Sequence, residues 1–210
     1  MKTAIVIGAT GLVGQELVAQ LIKSEEYTCI KLFVRKAITY DSSKIEVYIV
    51  DFDHVVDWSE KIIGDAIFCC MGTTLKKAKS KEVQFKIDHT YTLSVVSEAI
   101  KNGCSTVLLV SSIGANSNSS NFYLATKGKL EAAISSLLPK CFAIFRPSIL
   151  DGNRIEKRPF EQLALKIMRI LGKYKLIQKY APTSVVILSK KMIYFSLNPS
   201  KGIIITENIH

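Results

Sequence analysis

The sequence predicts an α/β protein built on a doubly wound, mostly parallel sheet with helices on both faces. Three observations carry this. Short apolar runs of strand length alternate with segments whose apolar residues recur at helical spacing. The strand segments are almost continuously apolar, as strands covered on both faces are. A glycine-rich turn separates the first strand from the first helix. Strands that alternate with helices form parallel sheets, and right-handed crossovers bring helices onto both faces.

Thr3–Ile7 is the first strand, ending at a glycine. Leu12, Val13, Leu17, Val18, Leu21 and Ile22 then mark one face of a helix. Cys29–Val34 and Ile45–Val50 are the second and third strands, and Ala66–Met71 is the fourth, followed by Gly72-Thr73-Thr74. A long helix over Lys81–Asn102 carries Phe85, Tyr91, Val95 and Ala99 on one side, and Gly103 suits its C-terminal cap. Thr106–Val110 is the fifth strand, and the Asn/Ser stretch Asn116–Asn121 is a loop. Phe122–Leu138 is a helix stopped by Pro139, and Phe142–Phe145 is the sixth strand. Pro159–Gly172 has the pattern of an amphipathic helix, and the last forty residues hold a helix near Ser189–Leu197 and a strand at Ile203–Thr206.

With 210 residues the chain is of one-domain size. Its 48% hydrophobic and 22% charged residues exclude disorder as the dominant state. No apolar run approaches the ~20 residues of a membrane span, and MKTAIVIGATG is too short in its apolar core for a signal peptide. The expected location is cytoplasmic. Cys29, Cys69, Cys70, Cys104 and Cys141 show no C-x-x-C spacing and are an odd number, so free thiols are expected. His54, His89 and His210 form no ligand cluster, so no metal site is expected. Lys and Arg exceed Asp and Glu by 28 to 18, giving a net charge of +10. The excess is spread along the chain, with clusters at Lys76–Lys81 and Lys166–Lys179 and no nucleic-acid-binding motif. We read it as a solvated basic surface, with no nucleic-acid partner and no stable membrane insertion. A basic helix over Phe160–Lys179, with Phe160, Leu163, Ile167, Ile170 and Leu171 on its apolar side, is the only feature that suggests a membrane or nucleic-acid surface.

The most informative local feature is Gly8-Ala9-Thr10-Gly11-Leu12-Val13-Gly14, between a strand and a helix. This G-x-x-G-x-x-G spacing is one residue wider than the dinucleotide fingerprint. Its logic is the same: glycines let the backbone approach a pyrophosphate, whose charge meets the free N–H groups of the helix N-terminus. The second strand ends in Arg35-Lys36 instead of a carboxylate. A guanidinium there suits the 2′-phosphate of NADP(H) better than the ribose hydroxyls of NAD(H). Asp51-Phe52, after the third strand, is placed towards the adenine edge, and Cys70-Met71-Gly72, after the fourth, along the cofactor ribose.

The second feature is Tyr123-Leu124-Ala125-Thr126-Lys127, just after a strand that ends in Ser111-Ser112. Residues i and i+4 share a helix face, so a phenol and an ammonium stand side by side. A free Tyr titrates near 10. A neighbouring cation favours its phenolate and suits it to act as general acid towards a carbonyl or base towards an alcohol. A hydroxyl of Ser112, or of Ser111, can bind the substrate oxygen.

On these residues the sequence resembles the short-chain dehydrogenase/reductase superfamily. It is most similar to the small atypical branch that holds the Tat-interacting-protein type oxidoreductases and the NAD(P)H-binding NmrA-like proteins. The resemblance covers nearly the whole chain through Gly8–Gly14, Cys70–Thr74, Phe85–Asp88, Ser111–Ala115, Tyr123–Lys127 and Phe145–Ser148. It implies a single Rossmann-type domain over residues 1–210, in which about 148–210 contribute a small substrate region. It also implies NADP(H), catalytic roles for Ser112, Tyr123 and Lys127, a hold of Lys127 on the nicotinamide ribose, and Arg146-Pro147-Ser148 at the nicotinamide end. Asp88 departs from the pattern, because many active relatives carry there an Asn that supports a proton relay. The expected function is an NADP(H)-dependent oxidoreductase on a small carbonyl or alcohol substrate. A non-catalytic NADP(H)-sensing or protein-binding module is the alternative. The helices over Lys81–Asn102 and Phe122–Leu138 offer faces for a homodimer or a protein partner.

Overall fold

The computed structural model describes residues 1–151, 181–207 and 209. Its main sheet is built from β1 (Lys2–Ile7), β2 (Tyr27–Val34), β3 (Ile45–Ile49), β4 (Ala66–Cys69), β5 (Thr106–Val110), β6 (Cys141–Phe145) and β9 (Gly202–Thr206). Two-residue strands β7 (Leu150–Asp151) and β8 (Thr183–Ser184) pair separately. The sheet order is β3-β2-β1-β4-β5-β6-β9, and every neighbouring pair is parallel. The chain runs outward from β1 in one direction through β3, then returns to the centre as β4 and continues in the other direction. This is a Rossmann-type α/β fold with its topological switch point between β1 and β4.

Alternating side chains on the central strands serve two cores, which is why these strands read as continuous apolar runs. Ala4 and Val6 face a core with Leu17, Leu21, Tyr27, Phe68, Phe145, Leu188 and Met192. That core is covered by α1 (Leu12–Lys23) and α6 (Val185–Leu197), which pack on one another. Ile5 and Ile7 face the opposite core, with Phe33, Trp58, Val95, Val107, Leu130 and Phe142. The helices here are α4 (Thr92–Lys101), α5 (Phe122–Ser136) and a 3-10 segment over Phe52–Lys61. Phe33 stacks between Tyr48 and Trp58, 5.1 Å from each ring centroid.

The strands fall where the apolar runs place them, within two residues. The irregular segments do not follow the expectation. Phe52–Lys61 is helical but kinked at His54 and Trp58, so it never develops a 3.6-residue repeat. A short α2 (Leu75–Ala78) also precedes the long helix. The long helix itself is three pieces: α3 (Lys81–Phe85), a π turn over Lys86–Tyr91, and α4. The i→i+5 turn inserts a residue into the repeat, and the buried side becomes Gln84, Asp88 and Thr92 running into Val95 and Ala99. Phe85 and Tyr91 are only half-buried. The helix expected over Phe122–Leu138 ends at Ser136, and Leu138 turns the chain with φ +52° before Pro139.

The expected helix over Pro159–Gly172, and the basic surface over Phe160–Lys179, lie outside the described residues. Among the described residues, no helix is long and apolar enough to cross a membrane. No group of three His, Cys, Asp or Glu there could hold a metal ion.

Candidate active site

A cleft of about 980 Å³ opens at the C-terminal ends of β1, β4, β5 and β6. Ligands of open α/β sheets bind at this end, beside the switch point. Its walls come from the turn after β1, the segment after β4, the end of β5, the first turns of α5, and Pro147–Leu150 after β6.

The turn after β1 is shaped by close approach. Gly8 has φ +79°, and a Cβ there would sit 2.5 Å from the Cys70 carbonyl carbon and the Met71 nitrogen. Only glycine meets both demands. A Cβ on Gly14 would overlap the Gly8 carbonyl oxygen and come within 2.8 Å of the Ala9 Cα, so α1 lies directly on the turn. Gly11 is the N-cap of α1; no side chain caps the helix there, and its first turn holds no acidic residue. The first amides of a helix have no partner within it. Thr10, Gly11, Leu12 and Val13 line the cleft, so this end of α1 is presented to it.

Cys70, Met71 and Gly72 form the adjoining wall. Burial pushes the Cys70 thiol up to about 12, so it lines the cleft as a neutral sulfur. Behind this wall lies Asp88, with no exposed surface. Its Oδ1 accepts from the Thr73 amide at 2.6 Å, while Oδ2 is buried with no hydrogen-bond partner. Burial raises the Asp88 pKa, and the Lys127 ammonium and the Thr73 amide offset this only in part. The sign is that of an acid whose folded pKa lies above its unfolded value. Ionised Asp88 therefore costs stability above the folded pKa, and the cost vanishes below the ordinary carboxylate range. Denaturation of Asp88→Asn against wild type across acidic pH should show the balance moving in the variant's favour as pH rises from below 3.8. A pH-independent difference would contradict this.

Asn121 caps α5, its Oδ1 accepting from the Leu124 amide at 3.1 Å, and so fixes the first turn on which Tyr123 sits. Tyr123 is 38% exposed and Lys127 is 3% exposed, and both line the cleft. The Lys127 ammonium donates to the Val110 carbonyl at 3.2 Å, anchoring it at the end of β5. An ammonium has three donors, so this bond leaves it capacity to act in the cleft. The two serines divide their work. Ser111 is buried and its hydroxyl donates to Glu131, whereas Ser112 makes only a long 3.4 Å contact with the Ile113 carbonyl. Ser112 is therefore the hydroxyl available to a ligand.

The structure places the remaining expected residues in different settings. Pro147 and Ser148 line the cleft. Arg146 instead pairs with Glu131 through Nε–Oε1 at 3.0 Å and Nη2–Oε2 at 2.6 Å, and with Glu207 at 3.2 Å. It holds β6, β9 and α5 together behind Ser111. Removing one partner of a buried pair strands the other charge at a cost of about 3–5 kcal/mol. Arg146→Met should therefore lose roughly 3 kcal/mol in chemical denaturation, discounted to the low end because the pair is partly exposed; a loss within experimental error would refute it. Arg35 and Lys36 are exposed at the end of β2 and lie outside the cleft walls. Asp51 is exposed and caps the 3-10 segment, accepting from the Asp53 amide at 2.9 Å. Phe52 is buried against Trp58 and Tyr91. Gly8 and Gly14 shape the turn from beneath.

Residues 8–150 match the NAD(P)H-binding family. Protein HTATIP2 of Rattus norvegicus is 32% identical over 169 residues, covering 79% of this chain and 69% of that protein. Protein FMP52, mitochondrial, of Candida glabrata is 34% identical over 161 residues, covering 73% of this chain and 66% of its own length. The match thus spans about two thirds of these relatives. Among solved structures, the oxidoreductase ylbE from Lactococcus lactis superposes with a TM-score of 0.67 at 17% identity, covering 97% of this chain and 89% of that one. The UDP-N-acetylglucosamine 4-epimerase from Bacillus cereus gives 0.69 at 16% identity, covering 99% and 78%. At such identities these two bear on the fold alone.

One expectation is corrected. A cytoplasmic location is overturned by the FMP52 relatives, which are named mitochondrial. The expectation rested on the lack of a signal peptide in residues that form a core strand, and a core strand carries no address. The matched stretch, the parallel sheet and the glycine turn at its switch point agree: this chain belongs to the NAD(P)H-binding family and has a Rossmann-type α/β fold.

Proposed function

We propose that the protein is an NADP(H)-dependent oxidoreductase that interconverts a carbonyl and an alcohol, with Tyr123 as general acid and base. The observation that carries this reading is a single cleft lined both by the uncapped N-terminus of α1 and by Ser112, Tyr123 and Lys127. The residues present fit a dinucleotide. The turn offers backbone where a Cβ on Gly8 or Gly14 would collide, and α1 offers amides with no acidic neighbour. The pyrophosphate would lie against Gly11, Leu12 and Val13, and the nicotinamide half along Cys70–Gly72, Lys127 and Pro147-Ser148.

When bound, the reduced cofactor supplies a hydride to the carbonyl carbon. The chain does the rest. Ser112 holds the carbonyl oxygen, and Tyr123 donates its phenolic proton to that oxygen as charge develops. Lys127 places a cation on the same helix face, fixed through Val110, where it favours the phenolate left behind. In the oxidising direction Tyr123 takes the proton back. Residues from about 148 onward would contribute the substrate side, a reading supported by Ser148, Ile149 and Leu150 in the cleft. We read a mitochondrial setting from the names of the FMP52 relatives.

NADP(H) is preferred because Arg35 and Lys36 follow β2 with no carboxylate. Charge-assisted hydrogen bonds contribute about 1.5–3 kcal/mol, so Arg35→Ala should weaken NADPH roughly 10- to 100-fold in a fluorescence titration and leave NADH nearly unchanged. Equal losses for both cofactors would end the NADP(H) assignment. The reaction itself is tested by following NADPH consumption across a panel of aldehydes and ketones with wild type and Tyr123→Phe.

A further inference from the structure

We propose that Glu131 is a positioning residue: by holding the Ser111 hydroxyl behind the cleft, it presents the Ser112 hydroxyl to the substrate oxygen. This deepens the oxidoreductase reading and rests on it for the reaction, though not for the placement of Ser112. Two hydroxyls follow β5 in succession, and successive residues of an extended chain point to opposite sides. They cannot both be aimed at one ligand oxygen, so something must choose between them. Glu131 is 6% exposed, and its Oε1 accepts from the Ser111 hydroxyl. The same oxygen accepts from Arg146 Nε at 3.0 Å, and Oε2 accepts from Nη2 at 2.6 Å. A guanidinium fork thus grips the carboxylate on both oxygens. Arg146 is tied in turn, its amide donating to the Thr206 carbonyl at 2.9 Å. Glu131 is therefore a fixed acceptor that keeps Ser111 turned away.

The chain is anchored on both sides of Ser112. The Ser111 amide donates to the Phe145 carbonyl at 2.7 Å, and the Ile113 amide to the Pro147 carbonyl at 2.9 Å. Ser112 itself makes only its long contact with Ile113. A hydroxyl fixed by its neighbours and free of strong bonds of its own is preorganised for a ligand. α5 adds a second link. Tyr123, Lys127 and Glu131 are spaced by four and share one helix face. Lys127 bonds the Val110 carbonyl and Glu131 bonds Ser111, so α5 holds two consecutive residues at the end of β5. The phenol and the Ser112 hydroxyl are carried on one bonded frame. Glu131 does not line the cleft, so it acts through Ser112.

The test is a double-mutant cycle. Ser111→Ala deletes the bond to Glu131 and leaves the Arg146 pair in place. With a carbonyl from the screen, its kcat should fall about 10- to 100-fold, the scale of a misplaced reacting group, with NADPH affinity unchanged. In a Ser112→Ala background the same change should cost less than about twofold, because the effect runs through Ser112. Glu131→Leu/Arg146→Met, which leaves neither member of the pair alone in the interior, should reproduce the loss seen in Ser111→Ala. A lower Tm with wild-type kcat in Ser111→Ala would reduce the bond to a structural role and overturn the proposal. Losses that simply add to that of Ser112→Ala would also overturn it. If wild type reduces no carbonyl, crystal structures of wild type and Ser111→Ala decide. The Ser112 hydroxyl should move by about 1 Å or more in the variant, on the scale that costs a reacting group its alignment. An unmoved hydroxyl would overturn the proposal, whereas a moved one without turnover would overturn the oxidoreductase reading alone.

Discussion

Tyr123→Phe should lower turnover by about 10²–10⁴, the usual contribution of a positioned general acid, while NADPH affinity and thermal stability stay at wild-type levels. The side chain stands partly exposed on the first full turn of α5, so removing its hydroxyl opens no cavity in either core. The loss should fall on kcat and kcat/KM alike, as it does when an interaction made only in the transition state is deleted. Steady-state kinetics on any carbonyl found in the screen supplies the readout. Turnover within about tenfold of wild type would show that another group delivers the proton. An unchanged cellular phenotype in Tyr123→Phe, lost in a variant that cannot bind cofactor, would favour a sensing role.

The second large effect is expected at Gly11. This residue is the N-cap of α1, with φ −79° and ψ 169°, a conformation any residue adopts. Asp is a good N-cap, so Gly11→Asp should fold with its helix intact. A Cβ there would meet the Gly8 carbonyl oxygen at 3.3 Å, a contact relieved by a small shift. The new carboxylate would occupy the helix end proposed for the pyrophosphate, taking its hydrogen bonds and repelling its charge. Loss of one or two charged hydrogen bonds of about 1.5–3 kcal/mol each implies NADPH binding weakened by roughly 10²-fold or more. Circular dichroism and cofactor titration on the same sample separate the two effects. A fully folded Gly11→Asp protein with wild-type NADPH affinity would place the pyrophosphate elsewhere.

The sheet was legible because its central strands are buried on both faces and read as apolar blocks, as β1 and β5 do. The glycine turn was legible because its spacing answers a backbone requirement, visible in what a Cβ on Gly8 or Gly14 would strike. The π turn was not, since one extra residue between Lys86 and Tyr91 leaves composition unchanged yet rotates Gln84 and Asp88 inward. Periodicity selected Phe85 and Tyr91, whereas the buried positions there are polar and face α5. Arg146 carries the same lesson for the site. Its place beside Pro147 and Ser148 suggests a ligand contact, but its fork is engaged by Glu131 and Glu207, which lie far from it in sequence. The choice between Ser111 and Ser112 likewise needed Glu131, twenty residues on from Ser111.

The most direct measurement is a crystal structure of the full chain with NADPH. The account predicts the pyrophosphate oxygens at about 3 Å from the first-turn amides of α1 at Leu12 and Val13. It also predicts the nicotinamide ring beside the Tyr123 hydroxyl and the Lys127 ammonium. A dinucleotide bound away from that turn, or a nicotinamide out of reach of Tyr123, would contradict it.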